Sequence, residues 1–211
     1  MRLVLATTNH GKVREMRQIL SGAELDLEDL TTYAHLPAPD ETGATFQANA
    51  CLKASHYARG LDAWTLADDS GLAVDALGGK PGVHSARWAA MHNSGSGDTD
   101  NNVLLLKQLE EIAESRRSAR FVCCLALANP AGNIVLTATG SVEGRILHSP
   151  RGDGGFGYDP LFLIDSLGQT TAQLPPPEKN AISHRGKAVR RMAELVFKHI
   201  LSSDISPPWP L

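Results

Sequence analysis

The sequence lacks the features that mark membrane, secreted and nucleic-acid-binding proteins. It contains no run approaching the roughly 20 apolar residues of a membrane span, and the apolar run near its start is too short for a signal peptide. Its three cysteines, two of them adjacent, do not form a disulfide framework. The net charge of −3, with acids and bases spread along the chain, offers no basic field for extended nucleic acid. We therefore expect a cytoplasmic protein without a membrane or nucleic-acid partner.

Several catalytic motifs are missing as well. No HExxH, paired CxxC or GxSxG is present, so zinc proteases, zinc ribbons and α/β-hydrolases have no support. Gly152, Gly154 and Gly157 match the dinucleotide-binding spacing GxGxxG. That fingerprint needs a strand before it and a helix after it, whereas a loop precedes these glycines and Pro160 follows them. A dinucleotide-dependent oxidoreductase is therefore not favoured.

The length of 211 residues suits one domain with two lobes, which we assign to residues 1–202, followed by a Pro-rich tail at 203–211.

Early strands alternate with helices. The second helix is predicted from about Thr45 to Arg59, with Gly60 as its stop. Two apolar runs flank "NPAGN" and predict a β-hairpin. This order indicates a mixed α/β sheet.

Two later helices have predicted apolar stripes. One carries Val103, Leu106, Leu109 and Ile112, and the last helix, from about Ser183, carries Val189, Met192, Val196 and Ile200.

The stretch "TTNHGK", Thr7 to Lys12, joins the first strand to the first helix. The free N–H groups at a helix start suit an anion, and Lys12 adds a full charge. The Walker pattern is absent, and an ordinary helix cap is the alternative.

A polar group interrupts one face of the second helix. Asn49 and Lys53 share a face with Phe46 and Tyr57 at helical spacing. In the alternative, Lys53 extends to solvent and Cys51, Leu52 and Ser55 face inward. Just upstream, "DETG" supplies Glu41 as a possible metal ligand.

The stretch "LADDSGLAVDAL" places Asp68 and Asp69 at the predicted end of a strand. Successive strand side chains face opposite ways, so both acids reach one site only if the chain turns at "DSGL". Carboxylates bind Mg²⁺ and activate water. An Asp cap at a corner is the alternative reading.

Two further stretches carry residues that suit a flat ligand and an anionic or carbonyl ligand. In "GGFGYDP" the glycines allow close backbone approach to a flat ligand, and Phe156 or Tyr158 is available to stack. "EKNAISHRGKA" places Lys179, His184 and Arg185 near a helix start, where cations oppose the helix dipole unless an anionic or carbonyl ligand is present. A solvated basic face is the alternative.

Together these motifs describe a nucleoside triphosphate site. In order along about residues 6–193, they resemble the inosine triphosphate pyrophosphatase family, whose members hydrolyse non-standard purine nucleoside triphosphates (ITP, dITP, XTP) to monophosphate and pyrophosphate. The resemblance implies an elongated two-lobed α/β fold around a long mixed β-sheet with flanking helices and a central cleft. It also implies a homodimer that uses Mg²⁺. A nucleotide-binding regulatory module without hydrolysis is the alternative function.

The resemblance also implies roles for individual residues. Glu41 and Asp69 serve the metal, and Asp69 is the catalytic proton acceptor. The implied substrate-binding residues are Thr7, Thr8, Asn9, His10, Gly11, Lys12, Lys53, Ser70, Phe156, Gly157, Tyr158, Asp159, Lys179, His184 and Arg185. Two stretches depart from the family pattern: the proline run of "LPPPEK" and the "SARWAA" segment.

Overall fold

The computed structural model describes residues 2–22, 25–33 and 36–202, with side chains to residue 198. The tail 203–211 and the side chain of Ile200 lie outside the described residues. The strands in this part of the chain are β1 Arg2–Leu5, β2 Asp26–Asp29, β3 Thr65–Val74, β4 Lys80–Pro81, β5 Ser118–Ala128, β6 Ile134–Ile146, β7 Phe162–Ile164 and β8 Gln169–Thr170. The α-helices are α1 His10–Ile19, α2 Phe46–Leu61, α3 Trp88–Met91, α4 Asp98–Gln108, α5 Pro176–Ile182 and α6 His184–Ser202.

The strands form one mixed sheet in the order β2-β1-β3-β5-β6-β7-β8, with β4 paired to β3. β1 is parallel to both β2 and β3, whereas β6 with β7 and β7 with β8 are antiparallel. β5 and β6 are neighbours joined by residues 129–133, which confirms the hairpin. The predicted mixed α/β class is confirmed.

The chain forms two compact units, each with its own core. Unit 1 comprises the described parts of Met1–Asp69, Cys123–Gly140 and His184–Leu211, and unit 2 comprises Ser70–Val122 and Ser141–Ser183. In unit 1, Leu5 and Leu125 of the sheet pack with Met16 of α1 and with three residues of the predicted α6 stripe, Val189, Met192 and Val196. In unit 2, Leu72, Leu105 and Phe162 belong to one apolar cluster.

The first two long helices begin at side-chain caps. Asn9 accepts the Lys12 N–H at 3.0 Å, and Thr45 accepts the Ala48 N–H at 3.1 Å. The prediction that α2 stops at Gly60 is wrong. The helix continues to Leu61 and ends at Asp62, whose left-handed backbone (φ 46°) supplies the C-cap.

The strand that carries the two acids does not end at them. β3 runs on to Val74, so the prediction that the strand ends at the acids is wrong, and the chain does not make the turn that "DSGL" would allow. Gly71 serves packing instead, because a Cβ there would lie 2.4 Å from Ser85 Oγ. The same hydroxyl accepts the Leu72 N–H at 2.9 Å, so the glycine lets β3 lie against residues 82–87.

The apolar stripe of α4 is shifted from the predicted one. Val103 is 62% exposed, whereas Leu105 is fully buried and Leu109 packs in the same cluster. Leu106 and Ile112, also predicted, are only partly buried against that cluster. The buried face is therefore offset from the predicted stripe.

This shift gives a stability test. Leu105→Ala should lower the free energy of unfolding by about 2–5 kcal/mol, because it removes a fully buried side chain and leaves a cavity. Val103→Ala on the same helix is the control and should change it by less than about 0.5 kcal/mol. Urea unfolding of both variants measures the difference, and equal effects would contradict the assignment.

Candidate active site

The loop between β1 and α1 presents hydroxyl and backbone donors. Thr8, Asn9 and His10 are exposed, while Thr7, Gly11 and Lys12 are partly buried. Thr7 Oγ1 accepts the Asn9 N–H at 3.2 Å, so the loop is held by its own side chains. The predicted helix cap is present, and the first turn of a ten-residue helix remains a suitable partner for an anion.

Asp68 lies in a buried set of charges in unit 1. Its carboxylate accepts hydrogen bonds from Lys12 Nζ, from Arg185 Nε at 2.8 Å and from the Cys123 thiol at 3.1 Å. Arg185 also pairs with Glu15. The formal charges of the two acids and the two cations thus cancel. A buried charge cluster needs this balance because an unpaired buried charge is costly.

Asp69 points to a different set of partners. Its Oδ1 lies 2.7 Å from Lys53 Nζ, and the same nitrogen lies 2.8 Å from Glu41 Oε1. Asn49 Nδ2 lies 3.4 Å from the other oxygen of Asp69. The inward orientation of Lys53 is therefore confirmed over the solvent-directed alternative.

The two adjacent acids have opposite pKa shifts. Burial acts to raise the pKa of Asp68, but Arg185 and Lys12 together hold it well below its usual range. Burial also acts on Asp69, and there it prevails over the attraction of Lys53, so the pKa of Asp69 is raised. Asp68 is therefore a fixed anion, and Asp69 is the better proton acceptor.

Glu41 and Asp69 fit a divalent metal by their chemistry. Two carboxylates share one ammonium group, so the three groups together carry a formal charge of −1 when both acids are ionised. Mg²⁺ commonly takes one or two carboxylates from the protein and completes its shell with waters and substrate phosphates. In the described residues no group of three or more acidic, His or Cys side chains is placed to hold a metal ion.

In unit 2, Asp159 organises the glycine-rich loop. Its carboxylate accepts the Phe156 N–H at 2.8 Å and the Thr171 hydroxyl at 2.8 Å, and it pairs with Lys179. Lys179 Nζ also lies 5.1 Å from the centre of the Phe156 ring. Phe156 is partly exposed, so its ring can stack on a flat ligand next to an ammonium group.

The neighbouring Tyr158 is in the core. It is 3% exposed, and its hydroxyl donates to Ser85 O at 2.9 Å. This corrects the expectation that its ring is available to stack. Gly157 between them is held from α4, because its N–H donates to Asp98 Oδ2 at 2.7 Å and its carbonyl accepts from Asn102 at 3.0 Å.

His184 and Arg185 begin α6 and lie in unit 1. His184 is buried at the close contact between α6 and β6, where a Cβ on Gly140 would lie 2.3 Å from His184 O. Arg185 is 1% exposed and directed at Asp68, so the cation at this helix start is balanced within the protein. Ser70 is partly buried in β3, directly after Asp69.

Sequence reasoning missed several partners. Glu15 and Cys123 complete the set around Asp68, and Asp98 with Asn102 holds Gly157. The i, i+4 spacing of Asp98 and Asn102 at a helix start was a usable signal. Glu15 and Cys123 gave none, because their partners are 170 and 55 residues away in sequence.

Asp68 and Asp69 have different ion-pair partners, which predicts different effects of their substitution on the free energy of unfolding. Asp68→Asn should lower the free energy of unfolding by about 3–5 kcal/mol, because it leaves Arg185 and Lys12 facing a neutral amide in a buried place. Asp69→Asn is the matched control, since Lys53 keeps Glu41, and should change it by less than about 1 kcal/mol. Denaturant unfolding at neutral pH compares the two, and a larger loss at Asp69 would contradict the division.

Known proteins are similar to this chain over most of its length. The chain is 49% identical over 197 residues to a protein of Exiguobacterium sp. named dITP/XTP pyrophosphatase, covering 93% of this chain and 97% of the relative. Proteins of the same name from Geobacter sulfurreducens and Streptomyces coelicolor are 49% and 47% identical, covering 89% and 92% of this chain and 92% and 96% of the relatives.

Solved structures match over nearly the whole length. A HAM1 protein from Coxiella burnetii superposes with a TM-score of 0.82 at 40% identity, covering 94% of this chain and 99% of that one. The Ham1 protein of Staphylococcus aureus gives a TM-score of 0.80 at 33% identity, covering 94% of this chain and all of that one. A family model matches residues 3–195. The chain belongs to the Ham1 family.

Proposed function

We propose that this protein hydrolyses non-standard purine nucleoside triphosphates, such as dITP, ITP and XTP, to the monophosphate and pyrophosphate. The relatives described above are named dITP/XTP pyrophosphatase, which supports this proposal. The observation that carries the mechanism is the division of the adjacent acids. Asp68 is neutralised by Arg185 and Lys12, while Asp69 has a raised pKa and lies beside Lys53 and Glu41. No observation favours the alternative of a regulatory module.

The triphosphate end of the substrate is assigned to unit 1. The first turn of α1, with Thr7, Thr8, Asn9, His10 and Gly11, offers backbone and hydroxyl donors. Each lysine ammonium has three N–H donors. Lys12 gives one to Asp68 and Lys53 gives two to the acids, so both retain donors for phosphate oxygens.

The protein's own groups carry the proton and charge changes of the reaction. Asp69 accepts the proton of the attacking water, and its raised pKa makes it a stronger base. Lys12, Lys53 and the α1 start stabilise the negative charge on the departing pyrophosphate. Glu41 and Asp69 would hold Mg²⁺, which when bound polarises the phosphoryl oxygens.

Recognition of the base is assigned to Phe156 and its neighbours. Phe156 supplies a stacking face, and Lys179, held by Asp159, supplies a buried ammonium. A buried donor that faces the purine 6-position donates a hydrogen bond to the carbonyl oxygen of hypoxanthine or xanthine. The 6-amino group of adenine would leave that donor unpaired, which is costly. We assign His184, Arg185 and Ser70 to substrate binding as well, by the family pattern.

We further propose that the enzyme is a homodimer that acts on the cytoplasmic nucleotide pool. Within the part of the chain that the structure describes, no helix is long and apolar enough to cross a membrane.

Turnover tests the role of Asp69. Asp69→Asn should lower kcat for ITP with Mg²⁺ by about 10²–10⁴-fold, because the amide cannot accept the proton of water. Pyrophosphate and single phosphate are assayed separately, since release of single phosphate would indicate stepwise dephosphorylation. Asp62→Asn at the exposed end of α2 is the matched control and should retain full activity. Near-normal turnover by Asp69→Asn would remove this residue from the chemistry.

Substrate preference tests the assignment of His184. His184→Ala should reduce the ratio of kcat/KM for ITP over ATP by at least about tenfold, because a site built on hydrogen bonds loses discrimination when one is removed. Arg191→Ala, at an exposed position of the same helix, should leave the ratio unchanged. An unchanged ratio in His184→Ala would show that the base is recognised by other residues.

A further inference from the structure

The side chain of Asn49 connects the two proposed metal ligands without being a ligand itself. It is fully buried on α2, one turn before Lys53. Its Oδ1 accepts the Gly43 N–H at 2.8 Å, and its Nδ2 lies 3.4 Å from Asp69 Oδ2. Because a backbone N–H can only donate, the amide oxygen must face Gly43, and the NH₂ group must therefore face Asp69.

The partner Gly43 belongs to the loop that carries Glu41. A Cβ at position 43 would lie 2.5 Å from Asn49 Oδ1 and 2.8 Å from Ala48 Cβ, so the loop rests directly on the start of α2. A glycine is needed for this approach. The position of Glu41, two residues away, therefore depends on the contact with Asn49.

The contacts close into a ring. Lys53 joins Glu41 to Asp69 by charge, at 2.8 and 2.7 Å. Asn49 joins Asp69 to the Glu41 loop by hydrogen bonds and adds no charge. Lys53 is assigned to phosphate and can leave the acids when substrate binds, whereas buried Asn49 has no such second role.

We propose that Asn49 is a positioning residue that sets the spacing of Glu41 and Asp69 for the divalent metal. This inference rests on the proposed function, because it takes these two carboxylates as the metal ligands. Partners that orient metal ligands typically contribute about 10–100-fold in metal affinity or activity. Loss of Asn49 should therefore weaken metal binding more than it weakens binding of the nucleotide itself.

Calorimetric titration of the full-length protein tests this without turnover. The probe is α,β-methylene ITP, an analogue that resists cleavage at the α-phosphorus, titrated with and without Mn²⁺. The measured quantity is the metal enhancement, the ratio of the Kd without Mn²⁺ to the Kd with it. Asn49→Leu keeps the approximate shape but removes both hydrogen bonds, and it should reduce the enhancement by about tenfold or more.

Asn101→Leu is the matched control. Asn101 is also buried, and its amide also joins two groups, because it accepts the Ala89 N–H at 2.8 Å and donates to Ala86 O at 3.2 Å. Loss of either asparagine should lower the Tm, but loss of Asn101 should leave the metal enhancement unchanged. A reduced enhancement in both variants would mean general loosening and would overturn the inference.

Gly43→Ala tests the same contact from the loop, should Asn49→Leu fail to fold. Its Cβ displaces the loop from Asn49, so the enhancement should fall, and an unchanged enhancement would overturn the inference. Where Asn49→Leu also folds, the two substitutions together should cost less than the sum of their separate effects. Full additivity would overturn the inference.

Glu41→Gln and Asp69→Asn separate the two levels of the proposal. If both abolish the enhancement and Asn49→Leu retains it, the positioning role is wrong while the proposed metal site stands. If the unchanged protein shows no enhancement by Mn²⁺, the metal site of the proposed function fails, and the positioning role fails with it.

Discussion

The uninterrupted run of β3 through the acidic pair is the constraint on which the site depends. Because successive side chains on a strand face opposite ways, Asp68 and Asp69 have no common partner unless the strand turns. It does not turn, since Gly71 lets it continue against residues 82–87. Two neighbouring carboxylates therefore enter two different electrostatic environments, although they are identical in chemistry.

Charge balance then decides what each acid can do. Around Asp68, Arg185 and Lys12 outweigh the cost of burial, so the carboxylate is held as an anion that fixes the starts of α1 and α6. Around Asp69, one lysine is shared by two acids, and burial raises the pKa of Asp69. The residue proposed as proton acceptor and metal ligand is thus the acid whose charge is incompletely compensated, and its neighbour is the acid whose charge is fully compensated.

Much of this arrangement could be predicted from local sequence patterns. Helical spacing gave the inward face of α2 as one of two alternatives, and the hairpin followed from a turn signal between apolar runs. The continuation of β3 could not be predicted, because "DSGL" has the composition of a turn and only the distant Ser85 shows why Gly71 is there. The burial of Tyr158 and the partners of Asp68 are likewise long-range, so no local pattern reports them.

The remaining question is how a loop residue such as Glu41 can be placed as accurately as a strand residue. Loops are placed less accurately than helices and strands unless their backbone groups are held. Here α2 provides the reference, because Asn49 and Lys53 are one turn apart and so project from the same face. One holds the backbone of the Glu41 loop, the other contacts its carboxylate, and both reach Asp69 on the sheet. The geometry of the acids is thus set by regular secondary structure, although one of them lies in a loop.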